Sequence, residues 1–167
     1  MSWFVRPETR EDWDAIDAVH QQAFARPGEA ALVRTLRREA KPYLGLVAEQ
    51  AGRVVGQVTF SPVAIEGGSP PALGLGPLAV EPGLQRAGIG SDLVRAGLSR
   101  CAELAKIVVV LGHAAYYPRF GFRSASALGL RYRSEVLDPS FFALELAPGA
   151  LAGVSGWVHY HEAFERL

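Results

Sequence analysis

Two hydrophobic periods organise the chain. Trp13, Ile16, Val19, His20 and Phe24 recur three or four residues apart, which is one face of a helix. Thr9-Arg10-Glu11-Asp12 in front has the Ser/Thr-x-x-acid form of a helix N-terminus. Arg26-Pro27-Gly28 breaks the pattern, and a second helix over Glu29–Ala40 turns Leu32, Val33 and Leu36 inward before Pro42 ends it. Phe4–Pro7 reads as a short first strand. Leu44–Glu49 and Val54–Phe60 read as a hairpin around Gln50-Ala51-Gly52-Arg53. After the loop Glu66–Pro71, the apolar run Ala72–Glu81 is a fourth strand carrying Gly74, Gly76 and Pro77. Such residues mark a bulge or a close backbone approach. Ile89, Leu93, Ala96, Gly97, Leu104 and Ala105 predict a third helix over Gly88–Ala105. Lys106–Leu111 is the most β-branched run and predicts a central parallel strand covered on both faces. A helical turn at Tyr116–Phe120 and strands at Leu128–Tyr132, Phe141–Leu146 and Gly156–Tyr160 complete an α/β chain with a mixed, partly antiparallel sheet.

With 167 residues, 49% of them hydrophobic, the expectation is a single domain, 1–167. The 17 basic residues balance the 17 acidic ones. No basic patch stands out, so nucleic acid is not an expected partner. The single Cys101 has no internal disulfide partner and reads as a packed, inert thiol in a reducing compartment. Glu8, Glu11, Asp12 and Asp14 near the N-terminus do not suit a signal peptide, and no apolar run reaches the ~18 residues of a membrane span. A soluble, cytoplasmic protein without a membrane partner is expected. The four histidines lack a ligand spacing, so no metal is expected.

Gln85-Arg86-Ala87-Gly88-Ile89-Gly90 lies between the fourth strand and the third helix. Glycine lets a ligand approach the backbone, and the N–H groups of a first helical turn point outward at the positive end of the dipole. Strand, glycine loop and helix together make an anion site that suits phosphate. Gly74-Leu75-Gly76-Pro77-Leu78-Ala79 matches the dinucleotide pattern Gly-x-Gly-x-x-Ala, but Pro70-Pro71 precedes it and Pro82-Gly83 stops any helix after it. No Gly-Lys-Ser/Thr is present, so there is no P-loop.

The Gln85–Gly90 loop resembles the Gln/Arg-x-x-Gly-x-Gly/Ala signature of the GCN5-related N-acetyltransferases (GNAT). Val108–His113 followed by Tyr116-Tyr117-Pro118-Arg119-Phe120-Gly121-Phe122 is similar to the strand and Tyr-x-x-x-Gly-Phe sequence that close the acetyl-CoA half in that family, in the form of its YhbS-like subgroup. The resemblance covers roughly residues 3–123. It implies a GNAT-like, mostly antiparallel central sheet flanked by helices, with the fourth and fifth strands splayed. It also implies acetyl-CoA as cosubstrate, with its pyrophosphate on Gln85, Arg86, Ala87, Gly88, Ile89, Gly90 and Ser91 and its pantetheine along Leu78, Ala79 and Val80. Tyr117, four residues before Gly121, stands where the family places its general-acid tyrosine; Tyr116 competes for that role. Pro118 is expected to bias Tyr117 away from helical angles. The fourth strand lacks the glutamate base of many relatives until Glu81 at its end, so the base stays open among His20, Glu29, His113 and a water relay. The implied activity is acetyl transfer to a primary amine by direct attack on the thioester. The alternatives are a non-catalytic acyl-CoA-binding module and transfer of a longer acyl chain. The acceptor is open: a small amine, an amino acid, an antibiotic or a protein N-terminus. Phe141, Phe142, Trp157, Tyr160 and Phe164 admit three roles: core packing, completion of the acceptor cleft, or a homodimer interface.

Overall fold

The structure, a computed structural model, describes residues 2–167. In chain order its regular elements are β1 (Phe4–Pro7), α1 (Trp13–Phe24), α2 (Gly28–Glu39), β2 (Leu44–Gln50), β3 (Arg53–Ile65), β4 (Ala72–Val80), α3 (Ile89–Cys101), β5 (Ile107–Leu111), β6 (Arg123–Ser124), β7 (Leu130–Arg131), β8 (Phe141–Glu145) and β9 (Gly156–His159), with short 3-10 turns between them. The β1–β2, β2–β3, β3–β9, β5–β8 and β6–β8 ladders are antiparallel, and β4–β5 and β7–β9 are parallel. The sheet is therefore mixed, open and mostly antiparallel. The chain divides into two compact units, and β3, β4 and α3 each run from one into the other.

The first unit holds the chain up to Phe60, Pro77–Gly97 and Glu162–Leu167. The β2–β3 hairpin closes at Gln50↔Arg53. Its turn residues Ala51 and Gly52 stand at φ 53° and 75°, the two positive values of a tight hairpin turn. Thr9 N–H donates to Asp12 Oδ2 at 2.7 Å, so the acid of the predicted helix start holds the chain entering α1. Ile16 and Val19 of α1 meet Val33 of α2, Val47 and Val54 of the hairpin and Ala79 of β4 in one core. The end of β4 is thus fixed by α1. Leu32 and Leu36 of α2, with Ala40 just past its end, pack with Ala163 of the C-terminal turn Glu162–Arg166.

The second unit holds Ser61–Gly76 and Leu98–His161. Ile107–Val110 of β5 are all buried. That strand is parallel to β4 on one side and antiparallel to β8 on the other, so the expectation of a parallel environment holds on one side only. The β4–β5 ladder runs from Ala72↔Ile107 to Leu75↔Val110 and stops. The next residue, Gly76, stands at φ 140°, the irregularity predicted for a fourth strand that leaves the fifth. Ile107, Val109, Phe141, Ala143, Leu130 and Val158 form this unit's core.

Three elements differ from the sequence pattern by two residues or more at one end. β3 continues past Phe60 to Ile65. Pro62 falls between the ladder with β2, which ends at Phe60, and that with β9, which starts at Ala64, so its missing donor costs no bond in either. α3 ends at Cys101, where Leu104 N–H tightens onto Cys101 O at 2.8 Å, and Leu104 is exposed instead of inward. β7 shrinks to Leu130–Arg131 between Gly129 and Arg133, whose φ values of 86° and 56° leave the extended region.

Candidate active site

The route from β4 to α3 is short and tied at both ends. Glu81 N–H donates to Val55 O at 2.8 Å, and the Glu81 carboxylate pairs with Arg53. A 3-10 turn at Pro82–Leu84 follows. Gln85 then reaches back, its Nε2 donating to Val80 O at 3.1 Å. Gln85, Arg86, Ala87 and Gly88 are exposed, with Arg86 at φ 65° and Gly88 at φ 105°. The helical ladder opens with Asp92 N–H on Gly88 O at 3.0 Å. The N–H groups of Ile89 and Gly90 precede that ladder and lie at the positive end of the α3 dipole. Ile89 and Leu93 are buried and anchor the first turn, while Gly90 and Ser91 are half-buried. No acidic side chain lies between Pro82 and Ser91, and Arg86 adds a cation. These residues fit a diphosphate. Leu78 and Val80 are half-buried and Ala79 faces the core. The strand end and the loop, Leu78–Val80 and Gln85–Ser91, are therefore brought together in the first unit.

Tyr117 lies in the second unit. It opens the 3-10 turn Tyr117–Phe120, so Pro118 does not keep it from helical geometry as expected. Its ring lies against Gly112, where any side chain would overlap it. The Tyr116 ring stands edge-on at 5.1 Å and the Phe122 ring at 5.8 Å. Tyr117 is 7% exposed. Burial, with the neighbouring Tyr116 phenol second, pushes its hydroxyl up to about 12. Tyr116 is half-buried beneath the Arg119 guanidinium, 4.5 Å from its ring.

The residues weighed as bases are held in different ways. Glu29 is buried and paired with Arg26. His113 is exposed, and its carbonyl accepts the Tyr117 N–H at 3.3 Å. His20 is fully buried, its Nε2 lying 2.6 Å from Gln57 Oε1. Gln57 Nε2 donates to Glu8 Oε1 at 3.0 Å. A carboxylate accepts only, so the Gln57 carbonyl faces His20 and His20 Nε2 carries the proton. His20 Nδ1 is then a bare acceptor, buried and without a hydrogen-bond partner. Burial lowers the His20 pKa against the opposing Gln57 hydrogen bond and the charges of Glu29, Asp17 and Glu8. Glu8 also accepts Tyr43 Oη at 2.9 Å and Arg37 Nε at 2.8 Å. This polar network was not read from the sequence. Its signal was Gln57 and Thr59 alternating with apolar residues in a buried strand. The Cys101 thiol is buried and pushed up to about 12, as expected of an inert cysteine. Among the described residues no group of three or more His, Cys, Asp or Glu suits a metal, and no helix is long and apolar enough to cross a membrane.

Comparison with known proteins gives a consistent picture. The acetyltransferase (GNAT) domain family matches residues 5–125. The uncharacterized N-acetyltransferase YhbS of Escherichia coli strain K12 is 40% identical over 165 residues, which are 98% of this chain and 99% of that one. The crystal structure of YhbS from Escherichia coli in complex with CoA superposes with a TM-score of 0.92 at 39% identity, covering 99% of this chain and 93% of the other. A GNAT family acetyltransferase from Brucella melitensis in complex with acetyl-CoA gives a TM-score of 0.81 at 35% identity, covering 98% of each chain.

Proposed function

The chain belongs to the GNAT acetyltransferase family, and on that footing we propose that it transfers the acetyl group of acetyl-CoA to a primary amine by direct attack on the thioester. The observation that carries the reading is the loop from Gln85 to Gly88, exposed and free of acids, leading into first-turn amides that have no place in the α3 ladder. The backbone of Gln85–Ser91 holds the diphosphate, and the strand backbone at Leu78, Ala79 and Val80 pairs with the pantetheine. Bound acetyl-CoA supplies an activated carbonyl and a thiolate leaving group.

A backbone N–H near Leu78 meets the oxyanion. Tyr117 Oη donates to the departing sulfur. A free thiol has a pKa of ~8.5, below the value of about 12 held by the buried phenol. The phenol therefore stabilises the sulfur by a hydrogen bond and does not finish the step as phenolate. The amine must arrive deprotonated or lose its proton through water. Exposed His113 is open to receive it through water, whereas His20 is fully buried and held neutral and Glu29 is buried against Arg26.

The test is free-thiol release from acetyl-CoA against a panel of small amines, amino acids and peptides, with CoA titrated by calorimetry. Turnover with at least one amine is expected. Tight CoA binding with no turnover across the panel would overturn the catalytic reading, and absence of CoA binding would overturn the site.

A further inference from the structure

Trp3 stands before β1, yet its side chain belongs to the start of α3. Its indole N–H donates to Asp92 Oδ2 at 2.9 Å. The far edge of its six-membered ring lies 3.7–3.9 Å from where a Cβ on Gly88 would stand. Trp3 is half-buried, so part of the ring stays open to solvent. Asp92 holds the indole at one end, and its other edge lies beside Gly88 with room for a methyl group between them. All three residues lie in the first unit.

A CoA diphosphate has two arms. If its phosphates lie on the Gln85–Ser91 amides and its pantetheine arm runs along Leu78–Val80, the nucleotide arm leaves on the side away from β4. That is the α3 side of the loop, where Trp3 is. An indole held by an ion-assisted hydrogen bond is a ready stacking surface, because little rotamer entropy remains to be lost. Every base has a π-face, so stacking needs no hydrogen-bond code. Arg86 is exposed on the same loop, and the Arg95 guanidinium lies 3.9 Å from Asp92. Arg95 offsets the Asp92 carboxylate, which leaves Arg86 as the net positive charge at this end of the loop.

We propose that Trp3 is the stacking platform for the adenine of CoA, so that this chain discriminates full CoA from its phosphopantetheine fragment through a residue outside the phosphate loop. The inference rests on the placement of CoA given under Proposed function.

Calorimetry with CoA and with 4′-phosphopantetheine on the full chain tests it, using the wild type, Trp3→Ala and Trp3→Phe. Trp3→Ala should weaken CoA about tenfold, within the range for loss of one base–aromatic stack. Its effect on 4′-phosphopantetheine should be under about twofold, and Trp3→Phe should recover most of the CoA affinity. Tryptophan fluorescence supplies a second readout. CoA should quench the wild type more than 4′-phosphopantetheine does, and Trp3→Phe should abolish the difference. Equal losses for both ligands would mean that Trp3 only orders the loop and would overturn this inference while leaving the CoA site standing. Unchanged CoA affinity in Trp3→Ala would overturn it in the same way. A wild type that binds no CoA would remove the placement and this inference together.

Discussion

Tyr116 and Tyr117 are neighbours in sequence, but only Tyr117 is buried, its ring seated on Gly112. Tyr117→Phe keeps that packing and removes one hydrogen-bond donor. Turnover should fall about 10²-fold, the low end for a lost general acid or a lost donor to developing charge, while CoA affinity stays nearly constant. Tyr116→Phe, the control, should stay within about threefold by the same measure. An ordinary phenol titrates near 10, whereas burial carries Tyr117 to about 12. An alkaline limb owed to Tyr117 should therefore be absent below about pH 11. A Tyr117→Phe variant as active as wild type, with chemistry rate-limiting, sinks the assignment. His20 gives the opposite sign. Its folded pKa is lowered, first by burial, so the unfolded chain takes up its proton first as pH falls. The stabilising contribution of the neutral ring is present above the unfolded value of ~6.5 and is lost as pH falls below it. Thermal midpoints from pH 8 to 5 should show the wild type losing more than His20→Gln, which still reaches toward Gln57 and carries no titrating ring. Parallel curves would mean that His20 is not held neutral.

The unit β4–loop–α3 was legible because each part has its own signal: an apolar run, then glycines, then a helical stripe. What sequence left unread was the backbone of the loop, since Arg86 at φ 65° carries no sign in its residue type. Gly88 at φ 105° does. An alanine held there costs about 1–3 kcal/mol. If the loop relaxes to avoid that strain, the binding conformation is depopulated by the same amount. Gly88→Ala should then weaken CoA about 5- to 150-fold with an unchanged far-ultraviolet circular dichroism spectrum. An unaltered dissociation constant would take the loop out of the site. Elsewhere the strand cores were read and their ends were not. Ser61-Pro62 looks like a stop, yet β3 continues, with Pro62 lying between its ladder with β2 and its ladder with β9. Leu104 fits the helical stripe, yet α3 has already ended. Periodicity reports which face is buried. It carries no information on which neighbour strand stops where.

At the scale of the whole molecule, long-range contacts decide roles that local pattern leaves open, and the C-terminal aromatics are the case in point. Phe141 and Phe142 are buried, Tyr160 packs against the second unit's core and Trp157 is 40% exposed. Phe164 packs beside the cluster of Leu32, Leu36, Ala40 and Ala163. Core packing therefore accounts for most of this segment, and the last six residues return to the first unit to cover α2. Neither helix face nor strand alternation in the sequence links Ala163 to Leu36, because the two lie more than a hundred residues apart. Removing Glu162–Leu167 exposes that face of α2. One large side chain's worth of burial is worth about 2 kcal/mol, and in a chain of this size that lowers the thermal midpoint by about 4–8 °C. The cluster contains no residue of Gln85–Ser91, so CoA affinity measured well below the midpoint should change less than twofold. Calorimetric scans and CoA titrations of the truncated chain check both. A truncated chain as stable as the full one would mean that the C-terminal turn only rests on α2. A large loss of CoA affinity at full stability would instead tie that turn to the cosubstrate.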